Sequence, residues 1–211
     1  YAMLDWRQID TLFLDMDGTL LDLHFDNFFW REHVPRRYAE FRCLELEQAK
    51  AESLGLESRP DVVLLWLGAW EVYDHVVFGQ PMKVYTDAYA KIVEQRLQER
   101  IDQYRAAGIP TVMPTVPCFG KQASRLGQER YDEKRRDWVN ERLMAVAARN
   151  RTWVRVIDPT DKLCDADGKS IAETPEGIAI REDVAHFDTD SATWFWNTWL
   201  AGQLGAAFAG V

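Results

Sequence analysis

Long apolar runs are missing from this chain of 211 residues. The longest, Val62 to Trp70, is roughly half of the ~20 residues that a membrane-spanning helix needs, so it reads as a buried strand and no membrane insertion is expected. Positive charge is scarce as well: 25 Lys and Arg stand against 34 Asp and Glu, a net charge of -9. A nucleic acid or an anionic membrane would have to be held against general repulsion, and a small neutral, cationic or metal-bridged ligand fits better. No succession of basic, apolar and small residues opens the sequence, so no secretory signal is visible. Internal repeats and low-complexity tracts are absent too. Cysteine is sparse, and Cys43, Cys118 and Cys164 match neither a zinc spacing nor a C-x-x-C redox pair. They read as buried thiols, with a Cys118–Cys164 disulfide as the alternative that would require an oxidising compartment.

What is present suffices for one domain over residues 1–211: 47% of the residues are hydrophobic and 28% charged, enough for a substantial core. Thr11 to Asp15 is a short apolar run that stops at acids and Gly18, a strand entering a turn. A helix is expected from Asn27, interrupted at Pro35 and continuing from Arg36 to Leu54. Asp61 to Leu67 is a second strand. Thr86 caps a helix whose apolar residues Tyr89, Ile92, Val93, Leu97, Ile101 and Tyr104 recur three or four apart up to Gly108. Ile109 to Val116 is a third strand, 129–149 a helix, Thr152 to Ile157 a fourth strand. A long loop with a turn at Asp165–Gly168 leads to a last helix starting near Asp188 or Thr189. This order predicts an α/β, three-layer, flavodoxin-like parallel sheet of four to five strands with helices on both faces. Ligands then belong outside the carboxyl ends of the strands, where Asp15, Gly68, Thr115 and Asp158 fall.

Two constellations lie along that edge. In the first, Asp15-Met16-Asp17-Gly18-Thr19, a strand end and a turn present two carboxylates one residue apart. Such a pair suits Mg²⁺, which takes a few carboxylates and keeps waters, and an aspartate there can attack a phosphoryl group to give an acyl-phosphate. The alternative is a turn with helix-capping acids. The motif resembles the D-x-D-G-T signature of the haloacid dehalogenase superfamily of phosphatases, and Asp10 to Trp30 is similar to its purine-nucleotidase branch. That resemblance covers about the first 40 residues. It implies Asp15 as nucleophile, Asp17 as general acid/base, Mg²⁺ on both, Thr115 on the phosphate and Lys121 as its cation.

In the second, Asp183 precedes His186 by three residues in the loop before the last helix. A carboxylate at that spacing can fix the imidazole tautomer while the other ring nitrogen acts as a general base; the alternative is a loop histidine packed against the helix. Segments 59–74, 108–119, 154–164 and 181–200 together resemble the SGNH hydrolase domains appended to bacterial membrane acyltransferases, over about residues 60–205. By that resemblance Asp183 and His186 close a Ser-His-Asp triad acting on O-acyl esters, often of sugars, without a cofactor, and Gly68 lies in the oxyanion region. None of Ser53, Ser58, Ser124, Ser170 or Ser191 follows a first strand in a G-D-S turn, and Trp70 stands where the family's G-x-N-D pattern has asparagine.

The acidic turn occupies the slot of that serine turn, as though a phosphatase opening were spliced to an esterase scaffold between 37 and 59. An esterase with a carbohydrate or other small ester substrate is the preferred expectation, located outside the cytoplasm. A cytoplasmic Mg²⁺ phosphatase and a catalytically silent carbohydrate-binding module, with Trp66, Trp70, Trp194, Trp196 or Trp199 stacking on a sugar, are the others. For most of these tryptophans strand and helix periodicity already predicts core positions.

Overall fold

The computed structural model describes residues 12–15, 32, 34–53, 60–77, 79–120, 127–181 and 186–207. Four short β-branched or aliphatic runs form one parallel sheet: β1 (Leu12–Asp15), β2 (Val62–Leu65), β5 (Thr111–Pro114) and β6 (Val154–Ile157), in the order β1-β2-β5-β6. All three pairings are parallel, and the β1 register sets Asp15 opposite Leu65 at the carboxyl end. A hairpin that the sequence reading missed, β3 (His75–Val77) with β4 (Gln80–Met82), stands apart from this sheet. Its strands have three residues each, too few for a periodic signal.

The helices follow their caps. Thr86 accepts from the Tyr89 amide and opens α3 (Asp87–Ala106), while Asp132 accepts from the Lys134 and Arg135 amides and opens α4 (Glu133–Arg149). Asp132 therefore separates a short 3₁₀ turn, Glu129–Tyr131, from the helix expected to be continuous from residue 129. The helix expected to run from Arg36 to Leu54 is interrupted, while of the stretch expected from Asn27 up to Pro35 only residues 32 and 34 are among the described residues. Pro35 lies in the first turn of α1 (Val34–Arg42), where its missing N–H costs no hydrogen bond, and the break falls at Cys43, whose φ is +53° before α2 (Leu46–Ser53). After β6 come α5 (Thr160–Leu163), α6 (Thr189–Phe195), a π turn over Trp196–Leu200 and α7 (Ala201–Ala207). Asp188 and Ser191 cap α6 reciprocally, which fixes its start as the sequence predicted.

The strands are added in sequence order in one direction, and crossovers of one hand then put the linking helices on one face. Val63, Leu65, Met113 and Val154 do pack with Tyr89, Val93 and Leu97 of α3 and Trp138, Val139 and Leu143 of α4. Val62, Leu64, Val112 and Ile157 point the other way, onto Phe195, Leu200 and Leu204 of the C-terminal segment. The result is the expected three-layer, flavodoxin-like α/β sheet with both faces covered.

Cys118 and Cys164 are bonded across a sequence separation of 46, with an S–S distance of 2.07 Å. This corrects the reading of all three cysteines as buried thiols: two form a disulfide, and Cys43 is free and exposed. The bond links the loop after β5 to the end of α5.

Candidate functional site at the carboxyl rim

The loops leaving β2, β5 and β6 share one rim with the end of β1. Gly68 sits just past β2 at φ +107°, and a Cβ there would lie 2.6 Å from the Val116 Cγ2. Close approach of the β2 and β5 loops thus requires glycine at this position. Asn140 of α4 fixes the second loop: its Oδ1 accepts from the Val116 amide at 2.8 Å and its Nδ2 donates to the Val116 carbonyl at 3.0 Å. Trp66, between β2 and Gly68, stacks on Phe195 at 5.8 Å and lies 6.3 Å from Phe187.

That contact locates Phe187, the residue after His186. His186 is exposed and adjoins Phe187, whose ring also stacks on Phe195 at 5.0 Å. Phe187, the next residue, thus lies beside the exit of β2, and Asp15 ends β1 opposite Leu65 at the same edge of the sheet. Asp17, Lys121 and Asp183 lie outside the described residues.

Thr115 and Asp158 occupy the other end of the rim. The Thr115 hydroxyl donates to Asp158 Oδ1 at 2.8 Å, and the Thr160 amide donates to the same oxygen at 3.0 Å. Burial alone would raise the Asp158 pKa, but hydrogen bonds from Thr160 and Thr115 and the charge of Arg136 together hold it below its ordinary value. Thr115 is thus committed to an ionised carboxylate, which opposes the phosphate-binding role that resemblance implied for it. It is also two strands from Asp15, roughly 10 Å by sheet spacing, and Asp158 is three strands away, roughly 14 Å. Ligands of one Mg²⁺ each lie about 2.1 Å from the ion, so Asp15 and Asp158 cannot share it. Among the described residues no trio of His, Cys, Asp or Glu is arranged to hold a metal ion, and the Mg²⁺ expectation rests on Asp15 and Asp17.

Ser170 and Ser191, both expected to lack a nucleophile's setting, have structural partners. The Ser170 hydroxyl accepts from Arg181 at 2.7 Å, and the Ser191 hydroxyl donates to Asp188 Oδ1 at 2.6 Å. Trp66, Trp194, Trp196 and Trp199 pack against the second core cluster, as periodicity predicted. Trp70 differs: it is 38% exposed, and the Arg130 guanidinium lies 4.7 Å from its ring centroid. An arginine covers the position where an oxyanion donor was sought. Sequence reasoning missed Arg130, Asn140 and Arg181. For Asn140 a signal existed, since a polar residue one turn from Leu143 and beside Val139 interrupts the apolar face of α4.

Comparison with known proteins gives two different likenesses. The family described as haloacid dehalogenase-like hydrolase matches residues 12–116, slightly less than half of the chain. The GMP/IMP nucleotidase YrfG of Escherichia coli (strain K12) is 61% identical over 33 residues, 16% of this chain and 15% of that protein, and its Shigella flexneri counterpart matches equally. The chain therefore spans about 15% of the length of the curated relatives it matches. Among solved structures, an acetyl xylan esterase aligns with 90% of this chain and 99% of its own, at 13% identity and a TM-score of 0.46. A putative acylhydrolase from Bacteroides fragilis aligns with 92% of this chain and 84% of its own, at 14% identity and the same TM-score.

Proposed function

We propose that this chain is a hydrolase acting on O-acyl esters, with small or carbohydrate ester substrates, and that His186 is its general base. What supports the reading is that His186 is exposed and directly precedes Phe187, whose ring lies 6.3 Å from that of Trp66 just after β2. In this mechanism the imidazole takes a proton from water, the hydroxide adds to the acyl carbon, and the tetrahedral intermediate expels the alcohol, which recovers the proton. Asp183 fixes the imidazole tautomer. Gly68 shapes the loop beside the reacting carbonyl, and Trp70 bounds the substrate side. Without a serine nucleophile turnover is slow, since binding and oxyanion donors alone supply about 10³ to 10⁴ over water. The disulfide favours an extracytoplasmic location.

Hydrolysis of p-nitrophenyl acetate by the full chain tests this reading. His186→Ala should lower the rate by about 10² to 10⁴. An unchanged rate, in a variant that still unfolds cooperatively, would remove His186 from the chemistry.

A second reading is favoured by the haloacid dehalogenase-like match over 12–116 and by the placement of Asp15 at the end of β1. Asp15 would then be the nucleophile of a phosphatase, with Asp17 as acid/base and Mg²⁺ supplying charge neutralisation when bound. Mg²⁺-dependent hydrolysis of p-nitrophenyl phosphate, lost in Asp15→Asn and retained in His186→Ala, would establish it instead. A join between residues 37 and 59 accommodates both likenesses, because each family places its first catalytic group after the first strand of a parallel sheet.

A further inference from the structure

Beyond β5 and β6 lies a cavity of about 460 Å³, walled by the disulfide segment, the start of α4 and the loop over residues 168–181. Its charge is opposite to that of the chain. Arg130, Arg136, Lys169 and Arg181 line it against Asp132 and Glu133, whereas the whole sequence carries -9. The Asp132 carboxylate is already occupied by the Lys134 and Arg135 amides at the α4 cap.

Two of the cations are placed at a cost. Arg130 is 5% exposed and Arg181 3% exposed, and neither forms an ion pair with an acid among the described residues. Their guanidinium carbons lie 4.7 Å and 5.8 Å from the same ring, Phe119, so two like charges are buried around one phenyl group. Each retains a buried Nε with no hydrogen-bond partner in the described structure. Arg181 is further held at φ +51°, a left-handed conformation that disfavours a residue with a Cβ. Its remaining nitrogens are fixed by the Cys118 carbonyl at 3.0 Å, the Leu163 carbonyl at 3.3 Å and the Ser170 hydroxyl at 2.7 Å. Burial lowers the Arg181 pKa to about 10, which still leaves it charged at neutral pH. Carbonyls and aromatic faces orient a guanidinium without neutralising it, and buried charge is ordinarily paired.

We propose that this cavity binds the oxyanion group of a small molecule, a carboxylate or a phosphate, with Arg130 and Arg181 as its positively charged wall. Guanidinium groups suit either oxyanion, because their fixed donor fork matches both geometries. The inference is independent of the hydrolase reading, since it concerns binding without turnover.

Calorimetric titration and thermal shift of the full chain at low salt test it, with inorganic phosphate, glucuronate and glucose as probes. Saturable binding of phosphate or glucuronate, absent for glucose and for chloride at equal ionic strength, is expected. Preference between the two anions identifies the group. Arg130→Gln should weaken binding about tenfold, as expected for loss of one charge-assisted hydrogen bond. If that variant fails to fold, the double variant Arg136→Gln, Lys169→Gln, nearer the surface, should weaken it in the same direction. No saturable binding of either anion, or affinity unchanged in every folded variant, would overturn the proposal.

Discussion

The two ends of the carboxyl rim are built from different forces. At the β5/β6 end directional connections stand out beside the apolar packing: the Cys118–Cys164 bond, the Thr115–Asp158–Thr160 hydrogen bonds, the Asn140 clamp on Val116 and the guanidinium of Arg181 on two carbonyls. At the β1/β2 end the contacts are aromatic, with Trp66, Phe187 and Trp199 arrayed around Phe195. Directional contacts fix the position of charge, as the proposed binding wall requires, while ring contacts set the position of the segment they hold. On the two proposals above, binding and proton transfer are separated along one sheet edge.

The largest test of this contrast removes the covalent tie. Cys118→Ser with Cys164→Ser should destabilise the chain by about 4 kcal/mol, from the loop-closure entropy of a 46-residue separation. Urea unfolding of the variant and of the parent with and without reductant measures it. A loss near zero would mean that the β5/β6 end does not depend on its disulfide. Gly68→Ala tests the seam between the two ends. The added Cβ meets Val116 at 2.6 Å in a left-handed backbone, and the expected cost is about 2 to 3 kcal/mol by the same measurement. A neutral result would show that the β2 loop yields freely, and that the two ends are not locked in position relative to each other.

The same contrast explains what the sequence disclosed. Helices with repeated apolar spacing and an N-cap, such as α3 behind Thr86 and α6 behind Asp188, were legible because local chemistry and burial agree there. So was the sheet, because its strands are continuous apolar runs. The buried arginines were not legible. Arg130 and Arg181 are separated by 51 positions, and only the fold brings both against Phe119. Thr115 looked like a free hydroxyl at a strand end; its partner Asp158 comes from the neighbouring strand, 43 residues on. The hairpin β3–β4 escaped notice because three-residue strands carry no period. The pairing of Cys118 with Cys164 could be stated as an alternative but not chosen, since spacing alone does not fix connectivity.

The smallest expected effect concerns the hydrogen-bonded end alone and has a pH signature. Asp158 titrates below its ordinary range when folded, so the unfolded chain takes up its proton first as pH falls. The stability it contributes is present at neutral pH, persists down to about pH 4 and is lost as pH drops through the depressed folded value. Because the carboxylate is largely exposed, solvent screening limits its contribution to about 1 kcal/mol. Asp158→Asn should therefore lower the urea midpoint at pH 7, and the difference from the parent should shrink below about pH 4. Asp188, held low chiefly by the Ser191 hydroxyl, shifts in the same direction in both proteins and cancels from the difference. A gap that does not change with pH would mean that the Thr115 and Thr160 bonds are satisfied equally well by an amide. The β5/β6 end would then owe nothing to the charge on Asp158.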